Sequence, residues 1–174
     1  MGRAKEIIVK VIPSKIANDF VKKNHYSGKV VQNSSLHFGC FLDDKLGGVM
    51  SYGTPIDKRK MLSLVNTSNI SNNEKWNEFL ELNRMAFSDM LPKYSESRCL
   101  AISFKLIKKN APQIKWIVSF SDSTSCGDGT IYRASGFYLT LIKKNSDLFI
   151  LPNGETKHSM TIKTNKKIMS KFGN

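Results

Sequence analysis

The chain has 174 residues, 40% of them hydrophobic and 24% charged, enough for one domain with a real core and too apolar for a disordered segment. Its formal net charge of +13 makes a polyanion the expected partner, with nucleic acid first among these. The three cysteines, Cys40, Cys99 and Cys126, lack any CxxC spacing, which excludes a disulfide framework or zinc site and fits a reducing, cytoplasmic setting.

No apolar run is long enough to span a bilayer, and the opening MGRAKEIIVKV lacks a signal-peptide core, so no membrane partner is expected. Glu6 to Ile12 reads as a first strand, broken by Pro13. Ser14 is a good cap for a helix to about Asn24, with Ile16, Phe20 and Val21 on one face. The loop His25-Tyr26-Ser27-Gly28-Lys29 follows, and His25 there could be a base, a metal ligand or a surface residue. Leu36 to Leu42 and Leu46 to Tyr52 read as a β-hairpin around Asp43-Asp44-Lys45. Thr54 to Asn73 reads as a long mobile loop with a short helix near Lys60 to Leu64. Asn77 to Phe87 alternates with a period of two and suggests a strand, although its residue types also suit a helix. As a regular strand it would put Leu80, Leu82 and Arg84 on one face, where an arginine is costly unless paired or used.

Ser95-Glu96-Ser97-Arg98 opens a helix to about Lys109, with Leu100, Phe104 and Ile107 as its apolar stripe. Ser95 or Ser97 can cap it, and the polar groups at its start would also suit a phosphate or pyrophosphate. Trp116 to Phe120 reads as a buried strand that stops at Ser121-Asp122-Ser123. Thr130 can cap a short helix, Ile131 to Ala134, ended by Gly136, and Phe137 to Leu141 reads as another strand. This layout puts Asp122, backbone N–H groups and Tyr132 at the carboxyl end of a strand, where open α/β sheets take ligands; a plain surface loop is the alternative. Asp147 to Leu151 and Thr156 to Ile162 flank Pro152-Asn153-Gly154-Glu155, a hairpin signal. The tail to Lys171 is lysine-rich and without acids, suited to solvent or to phosphates. The expected fold is α/β (α+β): a single domain over residues 1–174, with a mixed central sheet, helices on both faces, and residues 143–174 as a basic hairpin and tail within it.

Four blocks then add up: His25-Tyr26-Ser27; Glu81-Leu82-Asn83-Arg84-Met85; Ser95-Glu96-Ser97-Arg98; and Val118 to Asp122 running into Gly129-Thr130-Ile131-Tyr132-Arg133-Ala134-Ser135-Gly136-Phe137. In this order and spacing the chain resembles the Mom family of bacteriophage DNA-modification proteins, over roughly His25 to Leu141. The resemblance implies a GNAT-like acyltransferase fold. It also implies an enzyme that places a carbamoylmethyl-type group on the exocyclic amine of adenine, shielding phage DNA from restriction in the host cytoplasm. The catalytic residues it implies are His25, Tyr26, Arg84, Asp122 and Tyr132, with Ser95, Ser97, Arg98 and Gly129 at a cofactor such as acetyl-CoA or a related acyl-CoA. It leaves iron open as a cofactor, with His25 and Asp122 as the candidate ligand pair. The chain departs from the family where a histidine-bearing turn is replaced by Cys126-Gly127-Asp128-Gly129, and where the paired glycines of the acetyltransferase phosphate loop are absent from Ser95 to Leu100.

Adenine's amine is a weak nucleophile, so such a site must supply positioning and a proton acceptor, for which Asp122 is the expected group. With double-stranded DNA as partner the adenine must be flipped out and stacked on an aromatic such as Tyr26 or Tyr132; the alternative is action on single strands. Two other readings remain open: an N-acyltransferase for a protein or small amine, which leaves the charge without a use, and a non-catalytic nucleic-acid-binding domain, which leaves the Asp122–Tyr132 turn without one.

Overall fold

The scaffold is a meander of three long strands. β2 (Ser34–Leu42) and β3 (Lys45–Gly53) form the expected hairpin, and Asp43 and Asp44 both take positive φ at its turn (49° and 59°). That turn geometry follows the right-handed twist of the flanking strands. β4 (Phe79–Phe87) pairs antiparallel with β3, so the alternating stretch is a strand and not a helix. A short β1 (Ile8–Val11) covers the other edge of β2, behind a 3-10 turn, Arg3–Glu6.

The computed structural model describes residues 2–64, 77–122, 128–144, 148–158, 162 and 170. The supposed loop from Thr54 to Asn73 lies, from residue 65 on, outside these residues. Its described part holds α2 (Lys58–Leu64), where the Asp57 carboxylate accepts the Lys60 N–H at 3.1 Å. The chain divides into two units, Met1–Tyr138 and Leu139–Asn174.

In the first unit, α1 (Ser14–Asn24) lies on one face of the sheet and α3 (Ser95–Asn110) on the other. α3 is the crossover that lets β5 (Trp116–Val118) pair parallel with β4, giving a mixed five-stranded sheet in the order β1-β2-β3-β4-β5. The larger core lies under α3, where Cys99, Leu100 and Ile107 meet Phe38, Cys40, Met50, Tyr52 and Leu82. Cys40 and Cys99, distant in sequence, face each other there. The Cys99 thiol beside it, together with burial, holds the Cys40 thiol well above the ordinary range. Ala17 and Val21 of α1 meet Ile12, Val49 and Ala86 in a smaller cluster.

Three local expectations need correction. Ser14 is the first residue of α1 and not its cap; Pro13 holds that position and no side chain caps the helix. Neither Ser95 nor Ser97 caps α3: Tyr94 precedes the helix in left-handed geometry (φ 68°), and both serine hydroxyls turn back, to Pro92 O and Tyr94 O. Phe137 to Leu141 forms no strand. Phe137 is taken up in ending the short helix α4 (Thr130–Ala134), and β5 ends at Val118, short of Phe120. In the second unit β6 (Leu148–Ile150) and β7 (Thr156–His158) pair antiparallel around Gly154 (φ 81°), as expected of Asn153-Gly154. Most of the lysine-rich tail lies outside the described residues.

Candidate active site

A cavity of about 480 Å³ opens in the first unit, lined by residues from every motif block but that of Ser95. His25 and Tyr26 enter from the end of α1, Leu82 to Met85 from the middle of β4, Phe120 from beyond β5, and Asp128 to Tyr132 from the start of α4.

The β4 wall depends on one extra residue. Ser51 of β3 faces Arg84, and the next residue, Tyr52, faces Leu82, so Asn83 is the unpaired residue of a β-bulge. Past the bulge the alternation reverses. Leu80, Leu82, Met85 and Phe87 all pack into the core under α3, whereas Ala86 belongs to the α1 cluster. Arg84 therefore leaves the face of Leu80 and Leu82, correcting the expected arrangement and removing the cost of an arginine in an apolar row. β3 comes close at this point: a Cβ on Gly53 would lie 2.6 Å from Asn83 Oδ1.

Arg84 is held from two sides. Its Nε donates to Lys29 O (2.9 Å) and Nη1 to Asn83 O (2.8 Å), which leaves Nη2 with no hydrogen-bond partner among the described residues. A guanidinium fixed this way is a preorganised donor for a carbonyl, carboxylate or phosphate oxygen. His25 packs against Tyr26 with ring centroids 4.2 Å apart and ring planes tilted by 32°. Its Nδ1 accepts the Ser27 backbone N–H (3.1 Å) and lies 2.8 Å from Ser27 Oγ. Burial and then the Arg84 charge hold its pKa below the ordinary imidazole value. The neutral ring, with Nδ1 accepting from a backbone N–H, carries its proton on Nε2 and acts as a donor there.

The fourth wall owes its shape to its ends. Gly129 enters α4 at φ 78°, and the Asp128 carboxylate accepts from Thr130 N (3.1 Å), Thr130 Oγ1 (2.5 Å) and Arg133 Nη2 (2.7 Å). Those donors pull the Asp128 pKa down to about 2. Thr130 is thus not itself the cap. The helix ends as expected at Gly136 (φ 84°). Gly136 N–H donates to Arg133 O (3.1 Å) and Phe137 N–H to Tyr132 O (3.0 Å), the two bonds of a Schellman motif. Phe137 completes it by packing edge-on against Tyr132 at 5.4 Å and against Phe104 of α3 at 5.6 Å. The residues Gly129-Thr130-Ile131-Tyr132 and Gly136-Phe137 therefore fix where Tyr132 meets the cavity.

Of the residues singled out from sequence, His25, Tyr26, Arg84, Gly129 and Tyr132 come together at the cavity. Asp122 lies exposed beyond the end of β5 and does not line it. Ser95, Ser97 and Arg98 lie elsewhere: Ser95 is buried, and Arg98 donates through Nη2 to Lys5 O (3.0 Å). Asn83 and Phe120 were not anticipated. The break of alternation at Asn83 is invisible without its β3 partners, and Phe120 read as a buried strand residue, yet it is 65% exposed. Of the pair expected to hold iron, His25 lines the cavity and Asp122 does not, and no three His, Cys, Asp or Glu cluster among the described residues.

The mixed sheet, its parallel β4–β5 pair and the bulged strand at the cavity define an acetyltransferase-like fold. A structure described as a possible acetyltransferase from Clostridium difficile 630 matches with a TM-score of 0.53 over 79% of this chain and 94% of that one, at 11% identity. An aminoglycoside acetyltransferase solved with coenzyme A matches with a TM-score of 0.50 over 92% of this chain and 99% of that one, at 10% identity. At such identities the likeness concerns the fold alone. The family model of the Mom protein family matches residues 6–173, and the chain belongs to that family. It is 32% identical over 165 residues to the methylcarbamoylase mom of Escherichia phage Mu, covering 94% of this chain. The chain spans 65% of that relative's length.

Proposed function

We propose that this chain is a phage DNA-modification enzyme that transfers a carbamoylmethyl-type group to the exocyclic amine of adenine in DNA. The observation that carries this is family membership over residues 6–173, joined to a cavity that gathers His25, Tyr26, Arg84 and Tyr132. The net charge of +13 supplies sequence-independent attraction to the phosphate backbone. The adenine is flipped out of the duplex into the cavity, where Tyr26, 61% exposed, stacks on it. Tyr132 is less suited to stacking, because Phe137 already packs edge-on against it. Its role is to orient the donor, while Arg84 and the His25 Nε2–H hold an oxygen of the incoming group. As the amine's lone pair forms the new C–N bond, the bond between the transferred carbon and its donor breaks and the pair leaves with the donor. The amine gives up one proton, and Asp122, the proposed acceptor, would have to turn into the cavity from its exposed position to take it. An acyl-CoA donor would require Ser95, Ser97 and Arg98 to turn from their present backbone partners toward its pyrophosphate.

The test is mass spectrometry of nucleosides digested from DNA of cells expressing this chain, beside Arg84→Ala, Tyr132→Phe and Asp122→Ala. A heavier deoxyadenosine is expected in the parent and at least about tenfold less in Arg84→Ala. Unmodified DNA in iron-replete cells supplied with acetyl-CoA, together with acetylation of a protein or small amine, would replace this reading with an N-acyltransferase. Binding of the purified chain to duplex DNA should weaken steeply as salt is raised.

A further inference from the structure

One polar atom in the cavity wall lacks a partner. Asn83 is 7% exposed, yet its Nδ2 is buried and makes no hydrogen bond of standard geometry among the described residues. Leaving such a donor unpaired costs roughly 1–3 kcal/mol, so it calls for an explanation. The amide does not rotate to find a partner, because its Oδ1 accepts the Ser34 hydroxyl at 3.0 Å. Gly53 packs against the same oxygen, where a Cβ would come within 2.6 Å. Glu81, half-buried on the same strand, is the nearby carboxylate. Burial raises its pKa, and the approach of the Asn83 amide and then the Arg84 charge pull it back, so Glu81 is the one neighbouring carboxylate that competes with a ligand for Nδ2.

The surroundings narrow what Nδ2 is for. Asn83 lines the cavity beside Arg84, whose Nη2 also has no hydrogen-bond partner among the described residues. The one acidic group among the described lining residues, Asp128, is engaged by Thr130 and Arg133. The nitrogens left over in this wall are therefore donors. The adenine edges that carry the amine, those of N1 and N7, present a donor next to each acceptor and would find no complement here, whereas a carbonyl or carboxylate presents acceptors alone.

We infer that Asn83 is a ligand-binding residue: its Nδ2, with Arg84 Nη2, binds a carboxamide or carboxylate oxygen of the group that is transferred. The bulge is what brings these neighbouring residues to bear on one ligand, since in a regular strand they would point to opposite faces. That the oxygen belongs to the transferred group rests on the modification reading; that an oxygen is bound there does not.

Asn83→Asp tests this with little change in shape. It keeps an oxygen for Ser34 and replaces the donor with an acceptor. Ser34→Ala is the control for a purely structural role. In cells, Asn83→Asp is expected to lower deoxyadenosine modification at least about tenfold, with duplex DNA affinity of the purified chain within about twofold of the parent. Modification by Asn83→Asp at the parent's level would overturn the inference, and so would an equal loss in Ser34→Ala. The second readout does not depend on activity. The Asn83 side-chain amide signal, assigned by its disappearance in the Asp variant, is followed by NMR in the intact chain as acetamide or acetate is added. A saturable shift with acetamide supports a neutral carbonyl, and one with acetate a carboxylate. A signal that moves with neither overturns the inference. If the parent leaves DNA unmodified but the signal moves, the proposed function fails and the binding site stands.

Discussion

The two faces of the central sheet are built from the same three strands and differ in kind. Under α3 the contributions of β2, β3 and β4 are apolar: Phe38 and Cys40, Met50 and Tyr52, Leu82 and Met85. Under α1 the apolar cluster is smaller, and one row across the strands is polar: His37 faces Ser51, and Ser51 faces Arg84. The first face is finished as a core. The second ends at Arg84, beside His25 and the cavity. The bulge at Asn83 makes the difference, because it turns Arg84 out of the apolar face. Fold and site are thus divided between the two sides of one sheet, and substitutions can address each separately.

The sharpest separation should come from the finished face. Leu100 is fully buried in the α3 core, so Leu100→Ala removes side-chain contacts and leaves a cavity. A loss of about 3 kcal/mol is expected in urea unfolding, with modification unchanged in the molecules that stay folded. A selective loss of modification at full stability would show that this face is part of the site. The next effect concerns the polar pair inside that core, Tyr52 Oη and Ser103 Oγ at 2.7 Å. Ser103→Ala leaves a fully buried phenol hydroxyl without its partner and should cost about 1–3 kcal/mol; adding Tyr52→Phe should restore part of that. Thermal melts of the two single variants and the double measure the coupling.

The finished face was largely legible in the sequence, and the other was not. Alternation in Leu36 to Leu42 and Leu46 to Tyr52, and the stripe Leu100, Phe104, Ile107, are local patterns that correctly placed β2, β3 and α3. The motif blocks led to His25, Tyr26, Arg84 and Tyr132, and the cavity gathers them. What could not be read depends on partners distant in the chain. Whether an asparagine in β4 is a bulge is decided by the register of Ser51 and Tyr52. Whether Phe137 opens a strand or closes a helix is decided by its contacts with Tyr132 and Phe104. The serines at the start of α3 looked like caps because serine favours that role, but Tyr94 takes a left-handed conformation and their hydroxyls turn back to carbonyls.

On the polar face the next expected effect is a dependence on pH. His37 is buried, its Nδ1 lies 2.9 Å from Ser51 Oγ, and its Nε2 makes no hydrogen bond of standard geometry among the described residues. Burial holds its pKa below the ordinary value in the folded protein. The unfolded chain, titrating near 6.5, therefore takes up this proton first. Stability is at its full value above about pH 6.5 and falls as the pH drops toward the lower folded value. His25, shifted in the same direction, adds to this slope. His37→Leu combined with Ser51→Ala removes both members of the pair, so it should be near neutral at pH 7.5 and should flatten the acid side of the stability profile. An unchanged profile would mean that His37 is not neutral in the fold.

The smallest expected change in stability is at the end of the polar row, and it separates the two faces most directly. Arg84→Lys keeps a positive charge next to His25 but gives up the planar fork that holds Lys29 O and Asn83 O while leaving Nη2 for a ligand. A lysine ammonium can replace one of those contacts and not the whole set. Stability should change by less than about 1 kcal/mol, since Arg84 lines an open cavity and is not buried in a core. Modified deoxyadenosine should nonetheless fall by at least about tenfold, and duplex DNA affinity should stay close to the parent's because the charge is retained. Full activity in Arg84→Lys would mean that charge alone suffices at this position. The face reversal at Asn83 would then serve to keep an arginine out of the core, with no part in the chemistry.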